Sequence, residues 1–151
     1  TVWENITLGA EYAFDLVQRY ADMACFTEVA MALPQQYKSK TKEKGVNLSG
    51  GQQQRLALTR GLLASHDKDL VLFDEPTSSL DAITEMLVYR NIFEGFAGKT
   101  LVSSIHRLHL LPLFDEIVMF EGGRIVGSGT LQYMLMNCSE FAELWYQFKL
   151  K

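Results

Sequence analysis

A short apolar run, Leu70-Val71-Leu72-Phe73, that ends on Asp74-Glu75-Pro76 constrains the fold of this chain more than any other feature. A continuous run of that length is the mark of a strand covered on both faces, as in a parallel sheet. Two carboxylates closing such a strand are poorly explained as turn residues, because ligands of open parallel sheets bind beyond the carboxyl ends of the strands. Alternation along the extended chain turns Asp74 and Glu75 to opposite sides, so the pair can divide its work. Asp74 is suited to hold a magnesium ion, directly or through water, and Glu75 to polarise an attacking water.

Upstream lies Leu48-Ser49-Gly50-Gly51-Gln52. Ser49, with Gln52 three residues later, has the capping-box spacing and opens a helix running to Ala64. Leu56, Thr59 and Leu63 share one face of it, with Leu58 and Leu62 beside them. Capping alone does not call for two glycines. Gly50 and Gly51 clear side chains from the backbone, so the helix N-terminus offers free amides and a partial positive charge to an anion such as a phosphate. The capping reading and the phosphate reading both stand on these residues alone.

The rest of the chain alternates helices and strands, the pattern of an α/β fold with a parallel sheet. Helix formers run from Ala10 to Leu33 with no internal Gly, and Pro34 closes the run. A polar loop with Lys38, Lys40, Lys42 and Lys44 follows; Glu43 interrupts it and no aromatic platform accompanies it, so a solvated loop outweighs a nucleic-acid patch. A helix is expected from Asp81 to Phe96, then strands at Thr100–Ile105 and Glu116–Phe120, and a hairpin turn at Gly122-Gly123. Phe141, Leu144, Trp145 and Phe148 give the tail an amphipathic helix docked on its own domain. His106 closes the strand that precedes it and is placed to hydrogen-bond a γ-phosphate or orient a water, although a lone histidine is usually structural. Ser79 and Asp81 lead into the next helix; Asp81 suits either a helix cap or a contact across a subunit boundary.

Composition narrows the classes. The net charge of −4 over 151 residues argues against a general nucleic-acid binder. No apolar stretch approaches the roughly 18 residues of a membrane span, and no signal peptide stands at the start. Cys25 and Cys138 lack any paired spacing and read as buried thiols in a reducing compartment. The opening Thr1-Val2-Trp3 enters mid-pattern, as expected of a piece of a longer protein.

These motifs together resemble the ATP-binding-cassette (ABC) ATPases. Leu48 to Gln52 is similar to their signature motif, Leu70 to Glu75 to their Walker B strand with its catalytic glutamate, Ser79-Leu80-Asp81 to the D-loop and His106 to the switch histidine. Within the family, Thr1 to Ile6 resembles the segment after the Q-loop in exporters, Thr41 to Gly45 their X-loop, and Ile105 to Leu108 their switch region. The resemblance implies a partial P-loop NTPase fold: a helical signature subdomain over residues 1–64 and the C-terminal part of a RecA-like core over 65–151. It further implies ATP and Mg2+, a second cassette and transmembrane domains as partners, no nucleic acid, and a place on the cytoplasmic face of a membrane. Ser49, Gly50, Gly51 and Gln52 would bind the γ-phosphate of ATP held by the partner cassette, whereas Asp74, Glu75 and His106 would serve the ATP on the chain's own side. Ser79 and Asp81 would lie at the dimer interface.

The chain also departs from the family pattern. Its X-loop is rich in lysine, His109-Leu110 replaces a small polar pair, and Gly127 stands where an acidic residue is common. No Gly-x-x-x-x-Gly-Lys-Ser/Thr sequence occurs, and neither a Q-loop nor an adenine-stacking aromatic is recognisable. The longer protein is therefore expected to hydrolyse ATP and these 151 residues alone are not. A soluble ABC-type ATPase of DNA repair or chromosome maintenance and a non-catalytic fragment lending the signature face to a partner are the alternatives.

Overall fold

A computed structural model describes residues 1–41 and 48–150 of the chain. The described residues fall into two compact units, Thr1–Ser104 and Ile105–Lys151. Of the lysine-rich loop, Lys38 and Lys40 are described, with Lys38 in a 3-10 turn over Gln36–Lys38, whereas Lys42 and Lys44 lie outside the described residues. Of the X-loop only Thr41 is described, where its hydroxyl accepts from Asn5 Nδ2 at 3.0 Å.

The first unit is built from α1 (Val2–Thr7), α2 (Phe14–Met23), α3 (Thr27–Met31), α4 (Gly50–Ala64), β1 (Leu70–Asp74), α5 (Ala82–Gly95) and β2 (Thr100–Ser104). The helix expected across Ala10–Leu33 is broken into α2 and α3. Cys25 adopts a left-handed φ of 53° at the break, a conformation unfavourable for a residue with a Cβ. Neighbouring helices compensate: Arg55 Nη1 of α4 donates to the Cys25 carbonyl at 2.8 Å, and Asn91 Nδ2 of α5 donates to the Asp22 and Met23 carbonyls, each at 3.4 Å. The break is held by tertiary partners, with no local Gly or Pro to announce it. Cys25 is only half-buried, contrary to the expected buried thiol, while Cys138 is buried; both are free. Burial nonetheless pushes the Cys25 thiol's pKa up, partly opposed by Arg55.

β1 and β2 pair in parallel, with Asp74 opposite Ser104. Packing covers one face only. Val71 is buried in the core with Leu56, Leu62, Val88 and Ile92, and Phe73 packs against it. Leu70 and Leu72 point the other way and are exposed, Leu72 to 70%. The expected covering of both faces is thus corrected: a short apolar run does not reveal how many layers lie over it. Where α4 ends, Lys99 Nζ donates to the carbonyls of Ser65, His66 and Lys68 at 3.2, 2.8 and 2.7 Å, fastening the entry to β2 beside the entry to β1.

The second unit holds a 3-10 turn at Leu108–Leu113, the antiparallel pair β3 (Ile117–Glu121) and β4 (Arg124–Gly129), α6 (Leu131–Asn137) and α7 (Ser139–Lys149). Gly122 and Gly123 both take positive φ, 55° and 76°, which a two-residue hairpin turn matching the strand twist requires. Phe141 of α7 is buried with Met134, Cys138 and Ile117, and Trp145 packs on that cluster. As expected, α7 docks on its own unit; α6 was not foreseen.

Candidate nucleotide site

The N-terminus of α4 folds as its sequence directs. Ser49 Oγ accepts from the Gln52 amide at 3.3 Å and Gln52 Oε1 accepts from the Ser49 amide at 2.9 Å, a reciprocal capping box. Both side chains are thereby oriented by the helix. The two glycines differ. A Cβ on Gly50 would meet nothing within 4 Å, whereas one on Gly51 would lie 3.2 Å from the Ser79 carbonyl oxygen. Gly51 packs closely inside the chain, whereas Gly50 has open space where a side chain would sit.

β1 ends on Asp74, and both carboxylates are exposed. Ser104 Oγ, across the parallel pair, donates to Asp74 Oδ1 at 2.6 Å and accepts from the Glu75 amide at 3.2 Å. One hydroxyl therefore orients the carboxylate and the backbone that follows it. Glu75 does not continue the strand: its φ is 44°, a region costing roughly 1 kcal/mol or more for a residue with a Cβ. The expected strand alternation of Asp74 and Glu75 is corrected accordingly, since a left-handed residue and not the pleat sets their relative directions. The Glu75 carbonyl accepts from the Ser78 amide at 3.3 Å, closing a turn through Pro76 and Thr77.

Beneath this turn lies a buried polar floor. Thr77 Oγ1 donates to Glu85 Oε1 at 2.6 Å, and Glu85 is only 2% exposed. The Tyr89 hydroxyl meets Ser103 Oγ at 2.9 Å, and burial pushes its pKa up. Asp81 is the N-cap of α5. It accepts from the Thr84 hydroxyl at 2.7 Å and from the Ile83 and Thr84 amides at 3.1 and 3.0 Å. The Thr84 hydroxyl and amide hold its carboxyl below the ordinary aspartate range. The capping role expected for Asp81 is met.

The first unit thus brings together Gly51, Ser79, Asp74 and Glu75. His106 belongs to the second unit, where it lines a cleft of about 520 Å³ with Leu108, Leu144 and Phe148 among others. Two residues that serve the site went unread in the sequence. Ser104 is one; the parallel register that sets it opposite Asp74 was the signal that could have found it. Gln54 is the other. Its Nε2 donates to Ser78 Oγ and to the Glu75 carbonyl, and its Oε1 accepts from the Ser79 amide. Nothing local in the sequence reports that contact.

Among the described residues no group of three His, Cys, Asp or Glu side chains is arranged to hold a metal. Magnesium does not need one, because it binds through one or two carboxylates together with substrate phosphates. Asp74 fits that demand: it is an exposed, hard oxygen ligand with one oxygen oriented by Ser104. A glycine-opened helix N-terminus and strand-end carboxylates in one unit suit a phosphate ester accompanied by a divalent cation.

A family model described as ABC transporter matches residues 1–78. The structure of a bacterial Atm1-family ABC exporter with ATP bound matches at a TM-score of 0.86 and 30% identity, over 97% of this chain and 26% of that one. The mitochondrial iron-sulfur clusters transporter ATM1 of Candida glabrata is 38% identical over 149 residues, covering 96% of this chain and 20% of its own length. A probable multidrug resistance ABC transporter ATP-binding/permease protein of Bacillus subtilis, YheI, is 36% identical over 151 residues, 99% of this chain and 26% of its own. The chain spans about a quarter or less of the relatives' lengths. It belongs to the ABC transporter family.

Proposed function

We propose that this chain is part of the ATP-binding and hydrolysing domain of an ABC transporter, powering export through ATP-driven closure of two cassettes. The observation that carries the reading is the end of β1, where Ser104 orients Asp74 and holds the backbone at Glu75. Residues 1–64 form the helical signature subdomain in this reading, and residues 65–151 part of the RecA-like core. Export is favoured by the likeness to an Atm1-family exporter. The transmembrane domains and the cytoplasmic face of the membrane rest on the same kinship; among the described residues no helix is long and apolar enough to cross a membrane.

The residues act as two half-sites. Ser49, Gly50, Gly51 and Gln52 present the α4 N-terminus to the γ-phosphate of ATP held by a partner cassette, where the aligned amides favour negative charge. Asp74 would hold Mg2+ at the chain's own ATP, and the ion would supply charge neutralisation on the phosphate oxygens. Glu75 accepts a proton from the attacking water, and His106 hydrogen-bonds the γ-phosphate. Ser79 and Asp81 face the partner cassette. Closure excludes water around these groups, and hydrolysis reopens the pair. The 151 residues alone carry no phosphate-cradling Gly-Lys loop and do not turn over ATP unaided. No observation favours a DNA-maintenance ATPase.

Glu75→Gln in the longer protein tests the reading. ATP binding and cassette closure are expected to persist while turnover falls about 100-fold or more, the scale of a lost general base. Hydrolysis at the unsubstituted rate removes Glu75 from that role.

A further inference from the structure

Gln54 lies two residues beyond the capping box, on α4, and its amide is spent entirely on the segment that follows β1. Its Nε2 donates to the Glu75 carbonyl at 3.3 Å and to Ser78 Oγ at 3.0 Å, while its Oε1 accepts from the Ser79 amide at 2.7 Å. A helix gains nothing in itself from such bonds, because they reach residues more than twenty positions away in sequence. What they hold is a backbone that would not hold itself. Glu75 sits at a φ of 44°, a conformation that persists only where its surroundings determine it. Ser104 grips the amide before it, and Gln54 grips the carbonyl after it. On the same helix, Gly51 packs against the Ser79 carbonyl, so the α4 N-terminus and the Glu75 turn meet at two places.

We propose that Gln54 is a positioning residue for ATP hydrolysis: it sets the direction of the Glu75 backbone and locks it in register with the α4 N-terminus. Its amide bonds to the Glu75 carbonyl, the Ser78 hydroxyl and the Ser79 amide, so it acts through that segment. Because α4 presents Ser49 to Gln52 to one ATP and Glu75 serves the other, a single amide side chain spans both half-sites. The inference rests on the function proposed above.

The test compares Gln54→Ala and Gln54→Glu with the unsubstituted longer protein. Glu at this position keeps an acceptor for the Ser79 amide and loses the donor to the Glu75 carbonyl. Gln54→Ala is expected to lower kcat by about 10- to 100-fold, the effect of slight misplacement of a catalytic group, with KM for ATP changed by less than about threefold and the melting temperature kept. Gln54→Glu falls between the two. Amide hydrogen exchange at Ser79 is expected to quicken in Gln54→Ala whether or not ATP is turned over. Unchanged exchange overturns the tether, and unchanged kcat overturns the positioning role, as does a kcat loss that follows the melting temperature down. If exchange quickens but the unsubstituted protein hydrolyses no ATP, the proposed function fails and Gln54 is left as a structural tether alone.

Discussion

At the scale of single residues, the two glycines of the α4 N-terminus separate what the fold needs from what a ligand needs. Gly50 has open space around its missing Cβ, while Gly51 faces the Ser79 carbonyl. Gly50→Ala is expected to stabilise the chain by ~0.4–1 kcal/mol, since Ala narrows the unfolded ensemble without meeting an obstacle. Gly51→Ala is expected to destabilise it by ~1 kcal/mol through crowding. Urea unfolding of the two variants reads the difference, and both should lower ATP turnover in the longer protein. Equal stability changes would show that the glycines serve one purpose. From sequence the two looked equivalent, because a pair of adjacent letters carries no information about which one has a neighbour.

At the scale of elements, what was legible was local. The α4 helix follows from the Ser49–Gln52 spacing and its apolar face, and all five expected core positions on it are buried. The α5 helix starts at its Asp81 cap and the β3–β4 hairpin turns at its glycines for the same reason. What was not legible depends on distant partners: the break at Cys25 is held by Arg55 and Asn91, and the open face of β1 depends on what lies over it. The Asp81 cap also makes α5 sensitive to acid. Bonds from Thr84 and Ile83 hold its carboxyl below its ordinary value of 3.8. A depressed carboxylate contributes stability that is complete above that value and is lost as the pH falls through the lower folded one. Asp81→Asn keeps a capping oxygen but does not titrate, so its midpoint in urea should depend less on pH between about 5 and about 2 than that of the unsubstituted chain. Parallel pH profiles would show that Asp81 takes no part in acid unfolding.

At the scale of the whole molecule, the open face of the β1–β2 pair sets how the isolated chain behaves. Leu70, Leu72 and Val102 stand exposed on neighbouring parallel strands, an apolar surface of the kind that drives association. The purified 151-residue chain is expected to scatter light increasingly with concentration. The double substitution Leu72→Thr and Val102→Thr should suppress that scattering and leave the helical circular dichroism unchanged. Scattering undiminished by the pair would place the sticky surface elsewhere. Lys99 bears on this scale in another way. Three carbonyls surround its amine, and the Phe96 ring lies 4.8 Å from it. An amine so occupied is a poor nucleophile towards acylating reagents, so modification of Lys99 waits for the junction between α4 and β2 to open. Once acylated, the side chain loses its charge and at most one N–H remains for three carbonyls, so the junction does not close again as before. Chemical modification at this one position therefore acts as a ratchet, turning a passing fluctuation of the first unit into a lasting change.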